Sequence, residues 1–215
     1  MWFPPADEDG RWAEAIAHLR TDKTMARIID RVGPCLIRPR RDYFVKLVQS
    51  IFSQQVSVAA ASAMYAKLKA RVRGQQVTPQ SVLEFLTTQD DETIRSTGLS
   101  RQKRGYMHDL ARRFADGAVP YKRFAKMSDE EIIESLTQVK GIGRWTVEML
   151  LIFALNRPDV WPVDDLGLRE HAFRNYPRLF KERPTAKDPK LAKLGERFAP
   201  YRSVATWYLW RSSAK

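Results

Sequence analysis

Three observations predict an all-α fold. Apolar residues recur at i, i+3, i+4 and i+7, as in Phe44, Leu47, Val48 and Ile51. Ser, Thr or Asp stands ahead of such runs, with Gly or Pro behind several of them. No segment sustains the period-two alternation of a strand. In chain order, Arg11 to Leu19 and Lys23 to Val32 form two short helices split at Thr21-Asp22, the second closed by Gly33-Pro34, and Pro39 marks a new start. A helix from Tyr43 to Ser53 breaks at Ser53-Gln54-Gln55-Val56-Ser57, where Ser57 caps an Ala-rich helix reaching about Val72. Thr78-Pro79 and Asp90-Asp91 open two more, the latter closed by Gly98. Ser100 to Phe114 carries Tyr106, Met107, Leu110 and Phe114 on one face and cations on the other. Ser128-Asp129-Glu130-Glu131 is a capping box ahead of Ile132, Ile133 and Leu136. That helix runs into Val139-Lys140-Gly141-Ile142-Gly143, and the next begins at Arg144-Trp145-Thr146-Val147. Leu166 to Phe173 is helical, Tyr176 to Pro189 is a Pro- and Lys-rich connection, and Pro189 to Phe198 and Tyr201 to Ser212 are the last two of about ten short helices.

A chain of 215 residues can bury a good core as one domain or two closely packed lobes. Its 37 Lys and Arg exceed its 25 Asp and Glu, for a net charge of +12, so a polyanionic partner, nucleic acid above all, is expected. The basic residues are spread along the chain and not gathered on one amphipathic helix, which disfavours a membrane surface. Cys35 is the only cysteine, excluding a disulfide within the chain and any cysteine-based zinc or iron–sulfur site. His18, His108 and His171 lack metal-ligand spacing. No apolar run approaches the roughly 18 residues of a membrane span. The opening MWFPPADEDG has neither the basic region nor the apolar core of a signal peptide, so a cytoplasmic protein is expected, at the nucleoid if the source is bacterial.

Gly141 and Gly143 flank one aliphatic residue, Ile142, which lets the backbone turn tightly and leaves amide N–H groups unshielded at a helix N-terminus. Such a turn grips a phosphate with its backbone, here over Gly141, Ile142, Gly143 and Arg144, and the Lys140 ammonium can add a contact. About twenty residues on, Asp164 and Asp165 stand just ahead of another helix in a basic chain. Trp145 and Met149 share a helix face at i, i+4, and Trp207 and Trp210 are i, i+3 neighbours. On the residues alone, the glycines also fit a plain helix–helix turn, the aspartates simple capping, Gln54 and Gln55 a polar connection, and the tryptophans core.

GIGRWT followed by PVDDLGLR resembles the helix-hairpin-helix DNA glycosylases, in particular the alkylbase enzymes of the 3-methyladenine DNA glycosylase II type. The resemblance continues in FVKLVQSIFSQQVSVAAASAMYAKL and FAPYRSVATWYLWR and so covers roughly residues 10 to 213. It implies a two-lobed fold with a cleft. One lobe is residues 41–155, with the hairpin at 136–145; the other is 1–40 plus 156–215, with the aspartate loop. The resemblance, at this length, sets the expectation of a fold without the amino-terminal β-rich domain of the larger alkylbase enzymes.

The resemblance also assigns roles. Asp165 is the catalytic carboxylate, matching an Asp-x-x-aliphatic-x-basic pattern from which Arg169 departs by one place, and Asp164 is left as the loop and capping residue. Trp145, Trp210 and Met149 line a base pocket, where aromatic faces attract the cationic bases made by alkylation at N3 or N7; Trp207 and Trp12 are core. Gln55, with Val56 and Ser57, is the plug that fills the space left by an extruded nucleotide. The carbonyls of Thr137, Val139 and Ile142 match those that hold a cation in the family, and no cofactor is required. Family members often have proline where Lys140 stands, which implies a looser loop here. Bifunctional relatives carry a lysine where this chain has Trp145, so the resemblance implies a monofunctional enzyme without AP lyase activity. The expectation is a monomeric glycosylase that removes 3-methyladenine and 7-methylguanine from damaged double-stranded DNA. A uracil- or oxidised-base glycosylase on the same scaffold, or a non-catalytic helix-hairpin-helix clamp, are the other readings.

Overall fold

The computed structural model describes residues 10–213. The segment read above as lacking a signal peptide lies, apart from Gly10, outside the described residues. Among the described residues the fold is all-helical, with twelve α-helices and two short 3-10 helices and no strand. In order these are α1 (Ala13–Leu19), α2 (Lys23–Val32), α3 (Tyr43–Ser53), α4 (Val58–Arg71), α5 (Pro79–Thr88) and α6 (Asp91–Ser96). There follow α7 (Arg101–Ala115), α8 (Asp129–Thr137), α9 (Arg144–Phe153), α10 (Leu166–Asn175), α11 (Pro189–Glu196) and α12 (Arg202–Arg211). The 3-10 helices, Arg73–Gln75 and Tyr121–Lys126, were not expected, because pieces this short show no apolar period.

The caps explain most boundaries. Ser57 accepts the Ala60 amide at 3.2 Å, Asp90 that of Thr93 at 2.7 Å and Ser100 that of Lys103 at 3.2 Å. The Ser128–Glu131 box closes in both directions, with Ser128 N–H on Glu131 at 2.6 Å and Glu131 N–H on Ser128 at 3.3 Å. Each satisfies an amide that the helix geometry leaves without an intrahelical partner.

By contacts the chain divides into two compact units, one formed by Arg40–Leu150 and the other by the residues up to Pro39 with those from Leu151 onward. The division falls inside α9. In the first unit α3 packs on α4 and α7, and α5 on α7. Its core includes Leu47, Val48, Ile51, Phe52, Leu68, Met107, Leu110 and Leu136, all essentially inaccessible.

The second unit is centred on α12, which packs on α1, α2 and α10. Seven successive residues, Ser203 to Leu209, are buried, so this helix is enclosed on every side. A bidentate ion pair from Arg202 to Asp159 (2.6 and 2.8 Å) holds the loop before α10, together with Ser203 N–H on the Pro158 carbonyl and Val160 N–H on Ser203 Oγ, both 2.9 Å. Trp161 donates to the Leu191 carbonyl at 3.2 Å and lies so close over Gly195 that any Cβ there would overlap its ring. This strapping fixes where the chain enters α10, and therefore where Asp165 stands.

Candidate active site

Asp165 is the N-cap of α10. Its Oδ1 accepts the Leu168 amide at 2.5 Å and the indole N–H of Trp210 at 2.8 Å. The residue is 9% exposed, between exposed Asp164 and Leu166, the latter 55% exposed. The expectation that Asp164 does the capping is corrected. Asp165 has the extended backbone of a cap (φ −70°, ψ 120°) directly before Leu166, and only from that position does a short carboxylate reach the amide three residues on. The cap is therefore the same carboxyl that the aspartate motif singles out. Trp210 stacks on half-exposed Phe153 with ring centroids 5.6 Å apart and planes 22° apart, so its face is engaged as well as its N–H. Gly167 makes room for it: a Cβ there would stand 3.1 Å from both the indole and Asp165 Oδ1.

The hairpin belongs to the unit Arg40–Leu150. Gly141 has a left-handed φ of +81°, and a Cβ at that position would overlap the Tyr106 ring, so glycine is required twice over. Not every amide of the turn is open to a phosphate. Ile142 N–H bonds the Val139 carbonyl at 3.0 Å and its side chain is buried, which makes Ile142 the anchor of the turn. The first helical bond of α9 runs from Val147 to Gly143 at 3.2 Å, so the amides of Arg144, Trp145 and Thr146 precede it at the positive end of the helix dipole.

The Arg144 guanidinium grips Glu130 twice, at 2.8 and 2.9 Å, and Glu148 at 3.2 Å. These partners raise its pKa, Glu130 most, and tie the guanidinium to two carboxylates of the same chain.

At Lys140 the backbone makes a tie that proline could not make. The Lys140 amide, which a proline would lack, donates to Asp109 Oδ2 at 2.9 Å. Burial pushes the Asp109 carboxyl up, but the Lys140 amide and the guanidinium groups of Arg112 and Arg113 outweigh it and hold the group below the usual carboxylate range.

The turn from Gln54 to Ser57 sits against this hairpin. Gln54 donates from Nε2 to the Gly141 carbonyl at 2.9 Å, and Lys103 Nζ donates to the carbonyls of Phe52 (2.8 Å) and Gln54 (2.9 Å). Gln55 is exposed, with a left-handed φ of +59° that presents it at the tip, and Val56 and Ser57 beside it are exposed.

Of the pocket candidates, Trp145 is 47% exposed and Met149 half-buried, whereas Trp12 and Trp207 are core as expected. Among the described residues no group of three His, Cys, Asp or Glu side chains can hold a metal. The carbonyl set Thr137, Val139 and Ile142 suits a monovalent cation in kind: the donors are uncharged oxygens, and Val139 keeps a second lone pair after accepting Ile142 N–H. Sequence reasoning missed Gln54, Lys103, Tyr106, Asp109, Phe153 and Gly167; apart from the neighbour Gln54 and the face carrying Tyr106, nothing in the linear chain marks them.

Residues 48–196 match the HhH-GPD superfamily base excision DNA repair protein family. DNA-3-methyladenine glycosylase 1 of Schizosaccharomyces pombe is 38% identical over 193 residues, spanning 89% of this chain and 81% of that protein. The structure of an S. pombe 3-methyladenine DNA glycosylase with abasic DNA superposes with a TM-score of 0.76 at 37% identity, over 92% of this chain and 95% of that one. A DNA-3-methyladenine glycosidase from Bacillus halodurans gives 0.80 at 30% identity, over 100% and 94%. With the glycine turn, the capped aspartate and a match over most of its length, the chain belongs to the HhH-GPD superfamily of base excision DNA repair proteins.

Proposed function

We propose that this chain is a DNA-3-methyladenine glycosylase that binds damaged double-stranded DNA, flips an alkylated purine out of the stack and hydrolyses its N-glycosidic bond. The observation that carries the reading is Asp165, an acid oriented by two N–H donors at the start of α10 in a chain of net charge +12. Further support comes from the names of the S. pombe and B. halodurans relatives.

As the base departs with the bonding electron pair, positive charge builds at the sugar C1′. The Asp165 carboxylate stabilises that charge and orients the water that adds to C1′. A purine methylated at N3 or N7 leaves as a neutral molecule, so no separate general acid is needed. The hairpin grips the backbone through Gly141, Gly143 and the first amides of α9, with the Lys140 ammonium adding charge. Gln55, Val56 and Ser57 fill the vacated space, which offsets part of an unstacking cost of a few kcal/mol. Trp145 and Met149, one helical turn apart on α9, receive the cationic base. A monovalent cation on the carbonyls of Thr137, Val139 and Ile142 would stiffen the hairpin and add positive charge there.

The product is an abasic site and not a cut strand, because a tryptophan, Trp145, stands where bifunctional relatives carry the lysine that forms a Schiff base. Incubation with methylated genomic DNA tests both parts. 3-Methyladenine and 7-methylguanine should be set free, with strands intact until alkali is added and no borohydride-trapped complex. Release of nothing from methylated DNA would defeat the enzyme reading, and a trapped complex would defeat the monofunctional one.

A further inference from the structure

Three residues of α7 at successive i, i+3 positions, Lys103, Tyr106 and Asp109, lie on one stripe of the helix. Each meets a different part of the DNA-facing machinery assigned above. Lys103 holds the end of α3 through the Phe52 and Gln54 carbonyls, where the negative end of a helix dipole favours an ammonium. Tyr106 packs its ring against Gly141. Asp109 takes the Lys140 amide and is itself held by Arg112 and Arg113 at 3.1 to 3.2 Å. Gln54 closes the frame by reaching from the plug turn to the Gly141 carbonyl at 2.9 Å.

We propose that this face of α7 acts as a gauge that sets the spacing between the Gln55 turn and the Gly141 hairpin, with Lys103 and Asp109 as positioning residues for nucleotide extrusion. The inference rests on the reading that the chain extrudes bases. An extruded nucleotide is held open only if the plug enters the stack while the hairpin keeps its grip on the backbone. The separation of the two is therefore a term in the stability of the flipped state and not of the unflipped one. Lys103 works on carbonyls inside the protein, and its loss should leave the phosphate grip on intact duplex alone.

The test uses the full chain and two duplexes, one undamaged and one carrying a single tetrahydrofuran abasic analogue, with affinity measured at several salt concentrations. Wild type should prefer the abasic duplex. Lys103→Met should reduce that preference about tenfold, the scale of one charge-assisted hydrogen bond, with affinity for undamaged duplex and its salt dependence unchanged. Lys103→Arg, which keeps donors for both carbonyls, should retain most of the preference. Gln54→Leu removes the other side of the frame and should behave like Lys103→Met, which keeps the test decisive should one variant fold poorly. Equal loss on both duplexes, or a salt slope lower by about 0.9, makes Lys103 a phosphate contact or a plain structural residue and overturns the proposal. So does an unaltered preference in both variants. If wild type itself shows no preference for the abasic duplex, the base-extruding reading fails first and the gauge falls with it.

Discussion

The indole N–H of Trp210 donates to Asp165 Oδ1, 2.8 Å away, and the Leu168 amide donates to the same oxygen at 2.5 Å. Two donors on one oxygen restrict rotation of the carboxylate about its Cβ–Cγ bond and so limit where its second oxygen can point. Trp210→Phe keeps an aromatic face for Phe153 and removes only the donor. Single-turnover excision of 3-methyladenine should slow about tenfold, with binding to undamaged duplex unaltered. An unchanged rate would mean that the cap alone aims the acid.

Asp165→Asn is a clean substitution because asparagine is as good an N-cap as aspartate and can still accept the Leu168 and Trp210 N–H groups. Thermal stability should stay near wild type while base release falls by a factor on the order of 10² to 10³ or more. Duplex binding should survive. Loss of binding along with release would reassign Asp165 to a structural role.

Gly141→Ala should fail for two reasons that add, a left-handed φ of +81° and overlap with the Tyr106 ring. A cost of about 2 kcal/mol, or roughly 5 °C in Tm, is expected, with weaker binding to undamaged duplex. Wild-type Tm and affinity would show that the turn is more plastic than this.

The Asp109 carboxyl carries a pH signature. Burial alone would raise it, but the Lys140 amide and the Arg112 and Arg113 guanidinium groups bring its folded value below the usual one, near 3.9 when unfolded. The stability it contributes is therefore fully present above about pH 4 and lost as pH falls through the lower folded value. Asp109→Asn should lower the urea midpoint by a constant amount from pH 7 to pH 5, and the gap should close in more acid solution. A gap that persists unchanged to pH 3 would contradict the assignment.

Trp145 is 47% exposed, too open for a core residue. Trp145→Ala should change Tm by no more than a degree or two. Excision should weaken while binding to undamaged duplex holds. Equal loss of both would make Trp145 a general contact and not a reader of the base.

Elements with a strong local signature were legible in the linear chain. The box at Ser128 and Glu131, the caps at Ser57, Asp90 and Ser100, and the glycine turn at Gly141 follow from side chains acting within a few residues of themselves, and so does the all-helical class. The basic balance and the family motifs gave the chemistry. Tertiary structure decided which of two adjacent aspartates caps α10, that Arg144 pairs with Glu130 and Glu148, and that the Ile142 side chain is buried under the turn. It also joined residues far apart in the chain, Trp210 to Asp165, Gln54 to Gly141 and Asp109 to Lys140. Hydrophobic period and capping depend on neighbours within one helical turn, so they can be read from order alone. The directions of the Asp109 and Asp165 carboxylates and of the Gln54 amide are set with partners 31, 45 and 87 residues away, and only packing brings those within 3 Å.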